Sequence, residues 1–112
     1  YAFHEKGNGS LEAMNRLNER IYEHCSYKSG PVYTNDFIVT KTAVTREEYG
    51  ETPCAFAARF GIAREEWEKT QSIYVLRSCI LNPYLTNYTT YEAYWGHFMT
   101  AVKAAIAKVM EP

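Results

Sequence analysis

Six side chains in this sequence have the elementary capacity for nucleophilic or metal chemistry: Cys25, Cys54 and Cys79, and His4, His24 and His97. A thiolate attacks or ligates best when its pKa is depressed, and a helix start does this by placing partial positive charge beside the sulfur. Cys54 follows Thr52 and Pro53, a helix-start signal, so a nucleophilic role would fall to it. Such a cysteine also needs a histidine within hydrogen-bond reach, and no spacing in the sequence supplies one. His24 and Cys25 are adjacent, so on a helix they point about 100° apart and do not face one metal ion together. The sequence has no His-x-x-x-His, Glu-x-x-His or Cys-x-x-Cys, and neither Gly-x-Ser-x-Gly nor a phosphate-cradling glycine loop. The expectation is no catalytic residue, no metal ligand and no cofactor. His97, between Gly96 and Phe98, is expected to be a core or boundary histidine.

Tyrosine is the compositional anomaly. There are ten in 112 residues, and Tyr84, Tyr88, Tyr91 and Tyr94 fall within eleven positions. A tyrosine brings a rigid apolar ring with a polar tip and little entropy to lose, which suits it to protein interfaces. Tyr84, Tyr88 and Tyr91 are therefore the expected partner-binding surface. The same rings could stack nucleobases, but residues 82–102 contain no Lys or Arg to track a phosphate backbone. The leading reading is a non-enzymatic protein–protein interaction module, a small accessory subunit, regulator or inhibitor. Its partner is another protein, and a homodimer is compatible with the reading.

A different pattern lies between Phe56 and Trp67. Ala57 is small enough for a close helix crossing, Gly61 permits a tight turn, and Ile62 and Trp67 can fix the crossing angle. Over roughly 20 of the 112 residues this resembles the DNA-binding helix-turn-helix. The resemblance implies an alternative, a DNA-binding regulator using residues 53–81, with Arg59, Arg64 and Lys69 on phosphates. Glu65, Glu66 and Glu68 on the supposed reading helix argue against it, because carboxylates in the major groove meet phosphate repulsion. The formal net charge of −1 also lacks the broad positive field of a nucleic-acid binder, so nucleic acid is disfavoured. A small enzyme with Cys54 as nucleophile is the second alternative.

The elements that must position these residues follow from periodicity. Residues 1–9 are polar and glycine-punctuated, a flexible lead-in. Ser10 can cap a helix over residues 10–27, with Leu11, Met14, Leu17, Ile21 and Cys25 as its apolar stripe and Asn15 and Asn18 on the polar remainder. Residues 31–44 are rich in β-branched and aromatic types and form either a short β-hairpin, turning at Asn35 and Asp36, or an extended segment. Thr45 has capping-box spacing to Glu48, but Gly50 stops that helix after about one turn. Further helices are expected over residues 53–60, 64–81 and 89–110. The last is capped by Thr89 and carries an apolar stripe of Tyr91, Trp95, Phe98, Val102, Ile106 and Val109.

The fold class read from the sequence is thus mainly α, one compact single domain of about four helices. With 46% apolar and 22% charged residues, the chain has globular composition and needs neither metal nor disulfide to fold. Its apolar runs fall short of the ~20 residues that span a bilayer, so a soluble protein without membrane contact is expected. An odd number of widely spaced cysteines favours reduced thiols and a cytoplasmic setting.

Overall fold

The computed structural model describes residues 1–26, 30, 38–77 and 88–112. Ser10 opens the first helix, α1 (Leu11–His24), its hydroxyl accepting from the Ala13 amide at 3.2 Å. The helix buries Leu11, Met14, Ile21 and Tyr22, while Leu17 and Cys25 are half-covered. Asn18, assigned by the sequence to the polar face, is fully buried. It completes the spacing Leu11, Met14, Asn18, Ile21, and so occupies a core position as the apolar residues do.

Two elements depart from the sequence expectation. The helix expected over residues 64–81 ends early, as α4 (Arg64–Thr70). Gln71 then takes a left-handed conformation at φ 54°, and Ser72–Arg77 continue as a strand. Ile73, Tyr74, Val75 and Leu76 form a short apolar run that fits a helix or a strand equally well, and tertiary pairing decides between them. Residues 78–81 lie outside the described residues. The partner strand is β1 (Thr40–Thr45), antiparallel to β2 (Ser72–Arg77) from Thr40 opposite Arg77 to Thr45 opposite Ser72. The extended character of residues 38–44 is therefore used for long-range pairing with β2. The turn expected at Asn35 and Asp36 lies outside the described residues.

Between the strands runs a helical excursion. Thr45 caps α2 (Arg46–Tyr49), which stops at Gly50 with φ 59°, as its capping-box spacing and glycine predict. Pro53 stands in the first turn of α3 (Thr52–Ala58), where its missing N–H costs nothing. Gly61, at φ 75°, makes the turn to α4. The excursion closes where the Arg46 amide donates to the Gln71 carbonyl at 2.9 Å. The last helix, α5 (Tyr88–Met110), begins one residue before Thr89, which lies within its first turn rather than at the cap. Helices dominate the described residues, with this small sheet beside them: the architecture is mainly α.

The core has two parts joined by α1. Leu11 and Met14 meet Ala57, Ile62, Trp67 and Ile73 at one end; Ile21 and Tyr22 meet Val39, Leu76 and Val109 at the other. The alternation of an antiparallel ladder turns the backbone groups of Ser72, Tyr74 and Leu76 away from β1. Asn15 takes two of them, donating to the Ser72 carbonyl and accepting from the Tyr74 amide, each at 2.9 Å. The backbone of Tyr1 exchanges bonds with Leu76 at 2.8 and 3.0 Å. Residues 1–3, part of the lead-in that composition marks as flexible, are thus tied down. Asn18 holds them there, accepting from the Phe3 amide at 2.8 Å and donating to the Phe3 carbonyl at 2.7 Å and the Met14 carbonyl at 2.8 Å.

Replacing Asn18→Ala removes three hydrogen bonds at a buried position and is expected to cost about 2–4 kcal/mol. Amide exchange in residues 2–5 should accelerate well beyond that loss of global stability. Unchanged exchange there would show that the strap is held by something other than this carboxamide.

Candidate functional site

α5 is covered along one half only. Val102, Ala105 and Val109 are buried, whereas every residue from 91 to 97 is exposed. Tyr91, Tyr94 and Trp95 are 42%, 51% and 48% exposed. Trp95, placed by its spacing on the core-facing stripe, therefore lies outside the core. The stripe continues along the helix, but the described residues bury it only from Val102 onward. The exposed rings are not independent. Tyr91 stacks on Trp95 with centroids 6.4 Å apart and planes within 8° of parallel. Trp95 lies 5.8 Å from Phe98, Phe98 lies 6.1 Å edge-on from Tyr1, and Tyr1 lies 5.7 Å from Phe3. An aromatic strip thus runs from the exposed helix end into the core. Of the tyrosines expected to form a partner surface, Tyr84 lies outside the described residues. Tyr88 is the first residue of α5, its side chain likewise outside the description, and Tyr91 stands on the strip.

Two of the three cations read as phosphate contacts are otherwise engaged. Arg64 pairs with Glu51 at 3.4 Å and Glu68 at 3.5 Å, and Lys69 with Glu66 at 2.9 Å. Arg59, the C-terminal cap of α3, is exposed. The centre of this network is Arg46, which the sequence reading did not single out. Its guanidinium holds both oxygens of Glu68, at 2.7 and 2.9 Å, and also binds Glu51. Glu51 in turn accepts from the indole N–H of Trp67 at 3.2 Å, and Trp67 is fully buried. Arg46 beside it holds the Glu68 carboxyl below the usual carboxylate range, and Glu68 and Glu51 hold the guanidinium pKa above its ordinary value. Lys69, then the Leu11 amide, does the same to Glu66 as Arg46 does to Glu68. The helix-turn-helix shape here is an ion-paired helical hairpin that seats Trp67 in the core, with Arg46, Arg64 and Lys69 neutralised by neighbouring carboxylates.

The thiols and imidazoles do not converge. Cys54 is half-buried in the first turn of α3 against the core, and Cys25 is half-buried after α1, where burial pushes its thiol pKa up. Neither is in a disulfide, and Cys79 lies outside the described residues. His4 packs edge-on against Phe60 at 5.6 Å, and His24 ends α1. His97, expected in the core or at its boundary, is exposed on the projecting part of α5. Among the described residues no group of three or more His, Cys, Asp or Glu could hold a metal ion, and no helix is long and apolar enough to cross a membrane.

Comparison with known proteins places the chain in a family. The family model described as tyrosine decarboxylase, C-terminal, matches residues 1–106, and the chain belongs to that family. Among its relatives is the L-tyrosine decarboxylase of Enterococcus faecalis, 32% identical over 111 residues, which are 99% of this chain and 18% of that protein. That of Enterococcus faecium is 36% identical over 101 residues, 90% of this chain and 16% of that protein. That of Levilactobacillus brevis is 31% identical over 109 residues, 97% and 17% respectively. The chain thus spans less than a fifth of the length of these relatives. This overturns the reading as a self-standing interaction module, regulator or inhibitor, and with it the DNA-binding and cysteine-nucleophile alternatives. Their common premise, that these 112 residues carry a whole function, fails because the matching regions are the C-terminal parts of much longer proteins.

The Glu68–Arg46 pair makes stability depend on pH in a definite direction. A carboxyl whose pKa is lower folded than unfolded binds fewer protons in the folded state, so its contribution is complete above the ordinary value of 4.5 and is lost as pH falls through the folded value. Unfolding midpoints in urea should therefore decline below pH 4.5, and Glu68→Gln should flatten that decline while lowering the midpoint at neutral pH. An acid limb of unchanged slope in the variant would remove this pair from the account.

Proposed function

We propose that this chain is the C-terminal portion of an enzyme that releases the carboxyl group of L-tyrosine as carbon dioxide, and that it contributes structure rather than reacting groups. The observation that carries the reading is the near end-to-end match of residues 1–106 to the tyrosine decarboxylase C-terminal family. The relatives over 30% identical that bear the name L-tyrosine decarboxylase support it.

The chemistry sets what the rest of such a protein must provide. When the Cα–carboxyl bond breaks, its electron pair stays on Cα, and an electron sink such as pyridoxal phosphate takes it up when bound. A protein holds that group with a Schiff-base lysine and a charged partner for the ring nitrogen. The residues described here do not fit it. Every lysine among them is exposed, and Lys69 and Lys108 are paired on the surface with Glu66 and Glu111. No step of the reaction is therefore assigned to these side chains. What the chain offers is a packed core, with the α1–β2 attachment at its centre and an exposed aromatic helix end.

The test is turnover by the full-length protein that contains this chain. Incubated with L-tyrosine, it should release carbon dioxide and the corresponding amine in equal amounts. A preparation that is folded, is supplied with pyridoxal phosphate and yields neither product would sink the proposal.

A further inference from the structure

The projecting end of α5 has the wrong chemistry for a surface facing water. Between residues 88 and 102 the sequence carries one charged side chain, Glu92. The solvated helix α4 has Arg64, Glu65, Glu66, Glu68 and Lys69 within seven residues. Single exposed aromatics are ordinary on protein surfaces; three large rings on consecutive turns of one poorly charged helix form a patch. Tyr and Trp are also the types that concentrate at the centres of protein interfaces.

From these observations we infer that Tyr91, Tyr94 and Trp95 form the surface by which this chain docks onto the preceding portion of its own decarboxylase polypeptide. The inference rests on the reading of the chain as the C-terminal portion of such an enzyme. More than four-fifths of each relative's length lies outside the matched region, so a large body is available to cover the patch. That body is covalently tethered, and tethering replaces a bimolecular encounter with a high effective concentration. The aromatic strip also leads to residue 1, since Phe98 lies against Tyr1. A polypeptide continuing upstream, as in the relatives, enters beside the exposed rings. A second copy of this region has neither advantage.

Hydroxyl-radical footprinting of the full-length protein, read by mass spectrometry, tests this. Tyr49 on α2, 50% exposed, is the internal reference. Tyr91, Tyr94 and Trp95 should oxidise several-fold more slowly than Tyr49, although their exposure within this chain is similar and free tryptophan is no less reactive than tyrosine. With Tyr94 replaced by the photoreactive p-benzoylphenylalanine, illumination should link position 94 to a peptide of the preceding portion. Oxidation at the rate of Tyr49 would overturn the proposal, and so would a cross-link to residues 1–112 of another copy. Tyrosine turnover is measured on the same preparation. Turnover with unprotected rings sinks the docking alone, whereas protected rings without turnover sink the proposed activity and leave the docking standing.

Discussion

Two side-chain carboxamides on α1 set the terms for everything packed around it. A two-stranded ribbon has two raw edges, and an isolated one is marginal in water. Here the outer edge of β2 is closed partly by Asn15 and partly by the backbone of Tyr1. The segment that brings Tyr1 into place is itself fixed by Asn18. An asparagine side chain presents a donating NH2 beside an accepting oxygen, the pairing a neighbouring strand would offer. α1 thus behaves toward β2 and the N-terminal residues as a further strand would, while burying Leu11, Met14 and Ile21 as a helix does. Both core clusters follow from that attachment, because Ile73 and Leu76 enter them from the strand α1 holds.

What could be read from the sequence divides along physical lines. Caps and breakers are local, so Ser10, Thr45, Gly50, Pro53 and Gly61 placed their turns and helix starts correctly. Pairing of residues 40–45 with residues 72–77 is non-local, and the apolar run from Ile73 to Leu76 satisfies helical and strand spacing alike. Asn18 was legible in principle: it stands where a periodic stripe requires a buried residue, and a buried amide must be hydrogen-bonded. Arg46 had no such signal, since its partners Glu51 and Glu68 come from different elements. The aromatic surface was legible in type but incompletely in position, because Trp95 shares its spacing with residues that are truly covered.

The absence of a recognisable motif had a different origin. More than four-fifths of each relative's length lies outside the matched region, so a motif of theirs need not fall within these residues. The helix-turn-helix likeness was a real shape with a structural cause. Two short helices joined at Gly61 let Trp67 reach the core beneath a net of ion pairs, and Glu68, one of the carboxylates that speak against DNA, holds that net together with Glu51.

The attachment of residue 1 to residue 76 also has a consequence in time. During synthesis α1 emerges long before β2, and for that interval the Asn15 carboxamide and the apolar positions that meet Ile73 and Leu76 lack their partners. Tyr1, Phe3 and Asn15 reach their final places only after the strand has left the ribosome. Such a long span between partners is slow to close, and a half-made region with an open apolar face is prone to wrong contacts. In a protein that carries this region at its end, maturation would be governed by the last residues made, and a chain halted before Ser72 would leave the Asn15 carboxamide with nothing to fasten.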